Sequence, residues 1–139
     1  MGTFRGMKLT SSGVVLVLLT AAGCGSGDGS FTRDYNRAVQ PIAVLGGSPG
    51  TRPAHYERLA ERVRRTNLNL AHLSAPDGAG DELHALRMEL GNVADGFDDV
   101  ARAARKRDAS RQLAATRGLR REIRAYERAE RALKRAVEG

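Results

Sequence analysis

The feature that most constrains this chain is a helical spacing of its apolar residues, repeated in four consecutive segments. In the clearest segment these residues recur three and four positions apart, and they are Leu83, Leu86, Leu90, Val93, Phe97, Val100 and Ala104. Such a spacing keeps the side chains on one face of an α-helix. No stretch alternates with a period of two over a useful length, so the sequence favours an all-α fold without a sheet.

Three further segments show the same spacing. They are expected over residues 31–45, 53–74 and 109–137. Pro41 falls inside the first and is expected to bend that helix or to end it early. Loops rich in glycine and proline at 46–50 and 75–80 separate the helices. The apolar face of the last helix is expected to hold Leu113, Leu119, Ile123, Tyr126, Leu133 and Val137.

Polar residues at the segment boundaries are candidates for helix caps. Thr51, Asp81 and Asp108 each stand just before a helical pattern, where a side-chain oxygen can accept hydrogen bonds from the free N–H groups of the first turn. Gly91 and Gly96 fall inside the clearest pattern and each cost about 1 kcal/mol of helix propensity. Close approach of a neighbouring helix is the reason that we can offer for them.

An apolar face on every helix must be buried, and the short connections place consecutive helices side by side. We therefore predict an antiparallel up-down bundle of three long helices and a shorter N-terminal helix over residues 31–139. An extended antiparallel coiled coil with an oligomeric core is the alternative. Aromatic residues make up 4% of the chain and Trp is absent, so the core must consist mainly of Leu, Val and Ala.

The N-terminal region has a different pattern. Arg5 and Lys8 precede an apolar run at 14–19, and small residues then lead to Cys24, the single cysteine of the chain. A basic start, a short apolar stretch and small residues before a cleavage site are typical of a secretory signal peptide. The apolar run is much shorter than the roughly 20 residues that a transmembrane helix needs.

The sequence Ala-Ala-Gly-Cys at 21–24 resembles the lipobox of bacterial lipoproteins, with Ala21 at the position where Leu is commonest. The resemblance implies cleavage between Gly23 and Cys24 and a diacylglycerol on the Cys24 thiol. It also implies a lipid-anchored protein on the extracytoplasmic side of the cell membrane. We accordingly expect a signal peptide at 1–23, the lipidated cysteine with a flexible tether at 24–30, and the helical domain from residue 31.

Charge is distributed unevenly along the chain. Residues 100–139 hold 13 Lys and Arg against 5 Asp and Glu, whereas residues 25–99 hold 8 against 11. In the last segment arginines recur at spacings of four and three, and they are Arg117, Arg121, Arg124, Arg128, Arg131 and Arg135. At about 100° per residue this stripe lies opposite the apolar one.

Two interpretations of the arginine stripe stay open. It is an ordinary solvent-exposed face, which pairing of Glu127 with Arg131 and of Glu130 with Lys134 at i, i+4 would favour. Alternatively, it contacts anionic phospholipid or an acidic wall polymer.

We find no catalytic constellation and predict neither a cofactor nor a metal. The glycine-rich stretches lack the Gly-Lys-Ser/Thr ending of a phosphate-binding loop. Asp95, Asp98 and Asp99 do not match a calcium loop, and we expect them to pair with arginines of a neighbouring helix.

The sequence therefore favours a non-enzymatic envelope protein that acts as an interaction or structural module, with a membrane and an envelope protein as partners. The alternative is a ligand- or metal-binding helical domain that uses His55, His72 or His84, although none of them lies in a His-Glu-x-x-His pattern. Nucleic-acid binding by the basic helix would require the signal peptide to be unused, so we do not expect it.

Overall fold

The computed structural model describes residues 28–43 and 52–139. The regular elements are α1 (Asp28–Val39), a short 3-10 turn (Gln40–Ile42), α2 (Pro53–Ala71), α3 (Gly80–Arg105) and α4 (Ala109–Glu138). No strand occurs in these two ranges, and the predicted all-α class is confirmed. The predicted signal peptide and Cys24 lie outside the described residues.

α1 differs from the expected helix at both ends. It begins at Asp28, so residues 28–30, which we expected in the flexible tether, form its first turn. Phe31 and Thr32 are buried directly after this turn and fix its position. The helix ends at Val39, and Pro41 falls in the 3-10 turn that follows. Proline lacks the N–H that a longer helix would use, and the prediction that it ends the helix early is confirmed.

The caps of α2 and α3 differ from those expected. The N-cap of α2 is Arg52, which makes no side-chain capping hydrogen bond, and Thr51 lies outside the described residues. The prediction of Asp81 as a cap is wrong, because α3 begins at Gly80 after Ala79. The Ala79 N–H donates to the Pro76 carbonyl at 3.0 Å, and this turn places the N-cap at Ala79, two residues before Asp81. The Asp81 carboxylate lies in the first turn, where the helix dipole favours it.

A three-residue connection joins α3 to α4. The Asp108 N–H donates to the Ala103 carbonyl at 3.3 Å, and the Arg107 N–H donates to the Ala104 carbonyl at 3.1 Å. Arg107 has a left-handed φ of 52°, which completes a Schellman ending. The Asp108 side chain then accepts from the Arg111 N–H at 3.0 Å, so the prediction that it caps α4 is confirmed.

α3 is the central helix, since it packs along both α2 and α4. The predicted apolar face of α3 is buried up to Val100, and Ala101 and Ala103 are buried in addition. A Cβ atom added at Gly96 would lie 3.1 Å from Leu119 Cδ1 and 3.4 Å from Leu119 Cα, so α4 approaches this glycine closely, as expected. A Cβ at Gly91 would meet nothing within 4 Å, and nothing in the structure explains that glycine.

Candidate functional site

The six arginines of the predicted stripe all lie in α4 and are all exposed; we call them the arginine face. They are Arg117, Arg121, Arg124, Arg128, Arg131 and Arg135. They occupy a sector of about 80° around the helix and extend about 27 Å along it, given 3.6 residues per turn and 1.5 Å per residue. The buried residues Leu119, Tyr126 and Leu133 lie on the opposite side of α4.

Within the described part of the chain, no member of the arginine face forms an ion pair or a side-chain hydrogen bond. No ion pair joins Glu127 to Arg131 among these residues. The expected pairing of Glu130 with Lys134 is wrong, because Lys134 Nζ lies 3.9 Å from Glu138 Oε1 and Glu130 is buried. The positive charge of the arginine face is therefore not matched by an ion pair within the described residues.

Two further side chains belong near this face, and the sequence spacing did not identify them. Arg120 is exposed on its flank, although it falls outside the regular series of threes and fours. Leu113, expected on the buried side, is 54% exposed. It precedes the buried Leu119 by six residues, and six residues turn a helix to a position about 120° away from the starting face. A helical projection of α4 identifies both.

The arginines between α2 and α3 are arranged differently. Arg64 Nη2 donates to Asp95 Oδ1 at 3.0 Å and to Asp98 Oδ2 at 2.5 Å, and Arg105 pairs with Glu57. The hydrogen bond to Asp98 contributes most to raising the pKa of Arg64. The expected pairing with a neighbouring helix is confirmed for Asp95 and Asp98.

The third aspartate of that cluster has a partner on its own helix. Arg102 Nη1 donates to Asp99 Oδ1 at 2.9 Å, three residues along α3. Asn67 and Arg87 add a further link between α2 and α3, because Asn67 Nδ2 donates to the Arg87 carbonyl and Arg87 Nε donates to Asn67 Oδ1, both at 3.2 Å. The contacts between α2 and α3 are together called the paired seam. They join Arg64 to Asp95 and Asp98, Arg105 to Glu57, and Asn67 to Arg87.

A buried polar cluster, which the sequence analysis missed, joins α1 to α4. The hydroxyl of Tyr35 donates to Glu130 Oε1 at 3.1 Å, and the hydroxyl of Tyr126 donates to the same oxygen at 3.3 Å. Tyr35 and Tyr126 are 1% and 3% exposed, and Glu130 is 7% exposed. Buried tyrosine hydroxyls need a partner, and a single carboxylate serves both.

The protonation of this cluster follows from its burial. Burial raises the pKa of the Glu130 carboxyl, while the hydrogen bonds from the two tyrosines oppose that rise. Burial, with the negative charge of Glu130, also raises the pKa of both tyrosine hydroxyls, which therefore remain donors. The cluster fixes α1 against the C-terminal half of α4, which is a structural task.

The three histidines are spread over two helices. His55 lies in the first turn of α2, edge-on to the Tyr56 ring at 5.6 Å. His72 is the C-cap of α2 and His84 lies in α3, and both are exposed. In the ranges that the structure describes, no group of three or more His, Cys, Asp or Glu side chains could hold a metal ion.

Comparison with known proteins gives no match, whether with family models, curated proteins or solved structures. None of the described helices is long and apolar enough to cross a membrane.

Proposed function

We propose that this chain is a lipid-anchored, non-enzymatic protein of the cell envelope, whose helical body presents an interaction surface on the extracytoplasmic side of the membrane. The anchor is supported by the sequence. The single cysteine, Cys24, directly follows Ala-Ala-Gly at the end of the short apolar run. Its proposed roles are as the lipidated residue and, with Gly23, as the cleavage site.

The observation that carries the interaction role is the arginine face. Six exposed arginines line one side of α4 without an ion pair among the described residues, whereas Arg64 and Arg105 on the paired seam are matched by acids. A guanidinium group donates two parallel hydrogen bonds to a phosphate or carboxylate, so anionic phospholipid and an acidic wall polymer are the partners that suit this face. Nucleic acid is not a proposed partner, because export separates the protein from it.

We also propose that the body is an antiparallel up-down bundle. The order of contacts between α2 and α3 supports this arrangement, because residue 57 pairs with 105, 64 with 95 and 98, and 67 with 87. α3 and α4 are in contact at Gly96 and Leu119 and are joined by three residues, a connection that suits antiparallel neighbours.

The anchor is tested by Cys24→Ser in a bacterium fed with a labelled fatty acid. We expect the variant to lose the label and to be processed abnormally, because the serine hydroxyl cannot replace the thiol. Ser26→Ala, two residues away, is the matched control and keeps the label. Labelled fatty acid on the Cys24→Ser protein would refute the anchor.

A further inference from the structure

We infer that the partner of the arginine face is the anionic phospholipid surface of the membrane that holds the anchor, with α4 lying along the headgroups instead of projecting away from them. The geometry rests on the proposed function, because it uses lipidated Cys24 as the fixed point. The binding of the arginine face to lipid can be measured separately.

The chain enters the body very close to the proposed anchor. α1 begins at Asp28, and the four residues from Cys24 span at most about 14 Å when fully extended. α1 is held on the body, since Phe31, Tyr35 and Val39 are buried. The end of the body where α1 begins therefore stays within about 14 Å of the membrane surface.

The arginine face starts at that same end. Ser30 and Phe31 share a groove with residues 72–77, at the turn between α2 and α3. The hydrogen bond from Tyr35 to Glu130 places the C-terminal part of α4 beside α1. Arg131 lies in the same turn of α4 as Glu130, and Arg135 lies about one turn further toward the C-terminus. The other four arginines follow toward the far end of the body.

Electrostatics favours the lying posture. Charges are screened beyond a Debye length of about 8 Å at physiological salt, and the arginine face is about 27 Å long. An upright body would bring only Arg131 and Arg135 within range of the headgroups, whereas a body lying on α4 brings all six arginines within range. Each basic residue near an anionic surface strengthens binding by about a factor of five. The acids of α4 all lie outside the roughly 80° sector of the arginine face, and they are Glu122, Glu127, Glu130 and Glu138.

The contact is confined to the headgroups. Helices that insert into the interface bury an apolar face among the acyl chains. In α4 the apolar residues Leu119, Tyr126 and Leu133 are already buried in the body, and Leu113 is the one exposed large apolar side chain of the helix. Binding should therefore depend on lipid charge and on salt.

The test uses the lipidated mature protein in vesicles, with a dye on Ser110→Cys. Ser110 is exposed on the same side of α4 at the end far from α1, and Cys24 carries lipid, so the new thiol is the single free one. Energy transfer from the dye to headgroup-labelled lipid reports whether the far end of α4 lies on the membrane. We expect energy transfer to rise as the phosphatidylglycerol content increases from zero to about 40 mol%, and to fall with added salt.

Two fourfold variants separate the arginine face from net charge. Arg121, Arg124, Arg128 and Arg131 changed together to Gln should reduce the preference for the lying posture on the order of several hundred-fold. The matched control removes the same charge elsewhere, from exposed arginines that form no ion pair among the described residues. They are Arg37, Arg52, Arg58 and Arg62. The control should keep the anionic-lipid response.

Three results would overturn the inference. The first is an equal loss of energy transfer in both fourfold variants, and the second is energy transfer that does not depend on phosphatidylglycerol. The third is release of the arginine face from vesicles with about 40 mol% phosphatidylglycerol by soluble polyphosphate at a charge concentration below that of the lipid. That release would favour a wall polymer as the partner. Retention on uncharged vesicles tests the anchor alone. A protein without lipid would fail that step and would still report binding of the arginine face to anionic vesicles.

Discussion

The paired seam and the arginine face both contain arginine side chains, but the arginines have different roles in the two regions. On the seam, each of Arg64 and Arg105 reaches an acid on the other helix and links α2 to α3. The six arginines of the arginine face are exposed on α4 and form no ion pair among the described residues. A count of charges in the sequence does not separate the two regions. The two regions differ in whether a neighbouring helix places a carboxylate at the same level along the helix axis as the arginine.

The largest effect should come from breaking the core that both regions share. Leu90 is 1% exposed at the centre of α3. Leu90→Asp buries a charge without a partner, and we expect a loss of more than about 4 kcal/mol, enough to abolish the cooperative thermal transition followed by circular dichroism.

Leu68 provides the control, because it is 65% exposed on α2. Leu68→Asp should change the free energy of unfolding by less than about 0.5 kcal/mol. A normal transition for Leu90→Asp would mean that the wrong face of α3 has been assigned to the core.

The next largest effect concerns Glu130, the buried acid of α4. Glu130→Ala leaves the buried hydroxyls of Tyr35 and Tyr126 without an acceptor. At about 1 to 3 kcal/mol for each unsatisfied group, we expect a loss of about 3 kcal/mol in urea unfolding. Glu127→Ala, at a half-buried position in the same helix, should have little effect.

The same carboxylate predicts a dependence on pH. Because burial raises the pKa of Glu130, the folded protein still holds a proton at pH values where the unfolded chain has released it. The stability of the wild type, measured against Glu130→Gln, should therefore fall as pH rises from the unfolded pKa through the folded one. A stability of the wild type that rises with pH relative to Glu130→Gln would contradict the raised pKa.

A smaller effect tests the comparison directly. Arg64→Gln removes two ion pairs of the paired seam, and because Arg64 and its partners are partly exposed we expect a loss of about 1 kcal/mol or less. Arg128→Gln on the arginine face should leave the urea midpoint unchanged. If the Arg128 variant lost as much stability as the Arg64 variant, the arginine face would have a structural role that its exposure does not reveal.

The smallest effect should occur at the link between the two regions. Arg107 adopts a left-handed φ that glycine accepts without strain, so Arg107→Gly should stabilise the protein by about 0.5 kcal/mol. Lys106 has an ordinary helical φ of −77°, and Lys106→Gly should destabilise the protein by a similar amount. Thermal unfolding of the two variants should shift in opposite directions.

Local patterns in the sequence predicted most of the helices and much of the core. The spacing of apolar residues identified the buried face of α3, and Asp108 was identified as a cap because its partner is three residues away. Exposure of the arginine face followed from the same angular rule. Each of these features depends on neighbours along one helix.

What the sequence analysis missed depends on distant partners or on a competing local pattern. Glu130 was assigned to Lys134 on the surface, although it follows Tyr126 by four residues and so lies on the buried face. Glu130 can be buried there because the Tyr35 hydroxyl, 95 residues earlier in the chain, donates a hydrogen bond to it. No local pattern in the sequence reveals this partner. Asp81 was predicted as a cap from its position before the helical pattern, but the turn at Ala79 makes the helix begin earlier.

The hydrogen bond between Tyr35 and Glu130 also bears on the order in which the chain folds. α3 and α4 meet across a three-residue turn, so their contacts close small loops and can form early. Tyr35 must wait for a residue that is synthesised 95 positions later. Docking of α1 is therefore expected to be the last step of folding. Until α4 has emerged as far as Glu130, α1 has no complete binding site on the body.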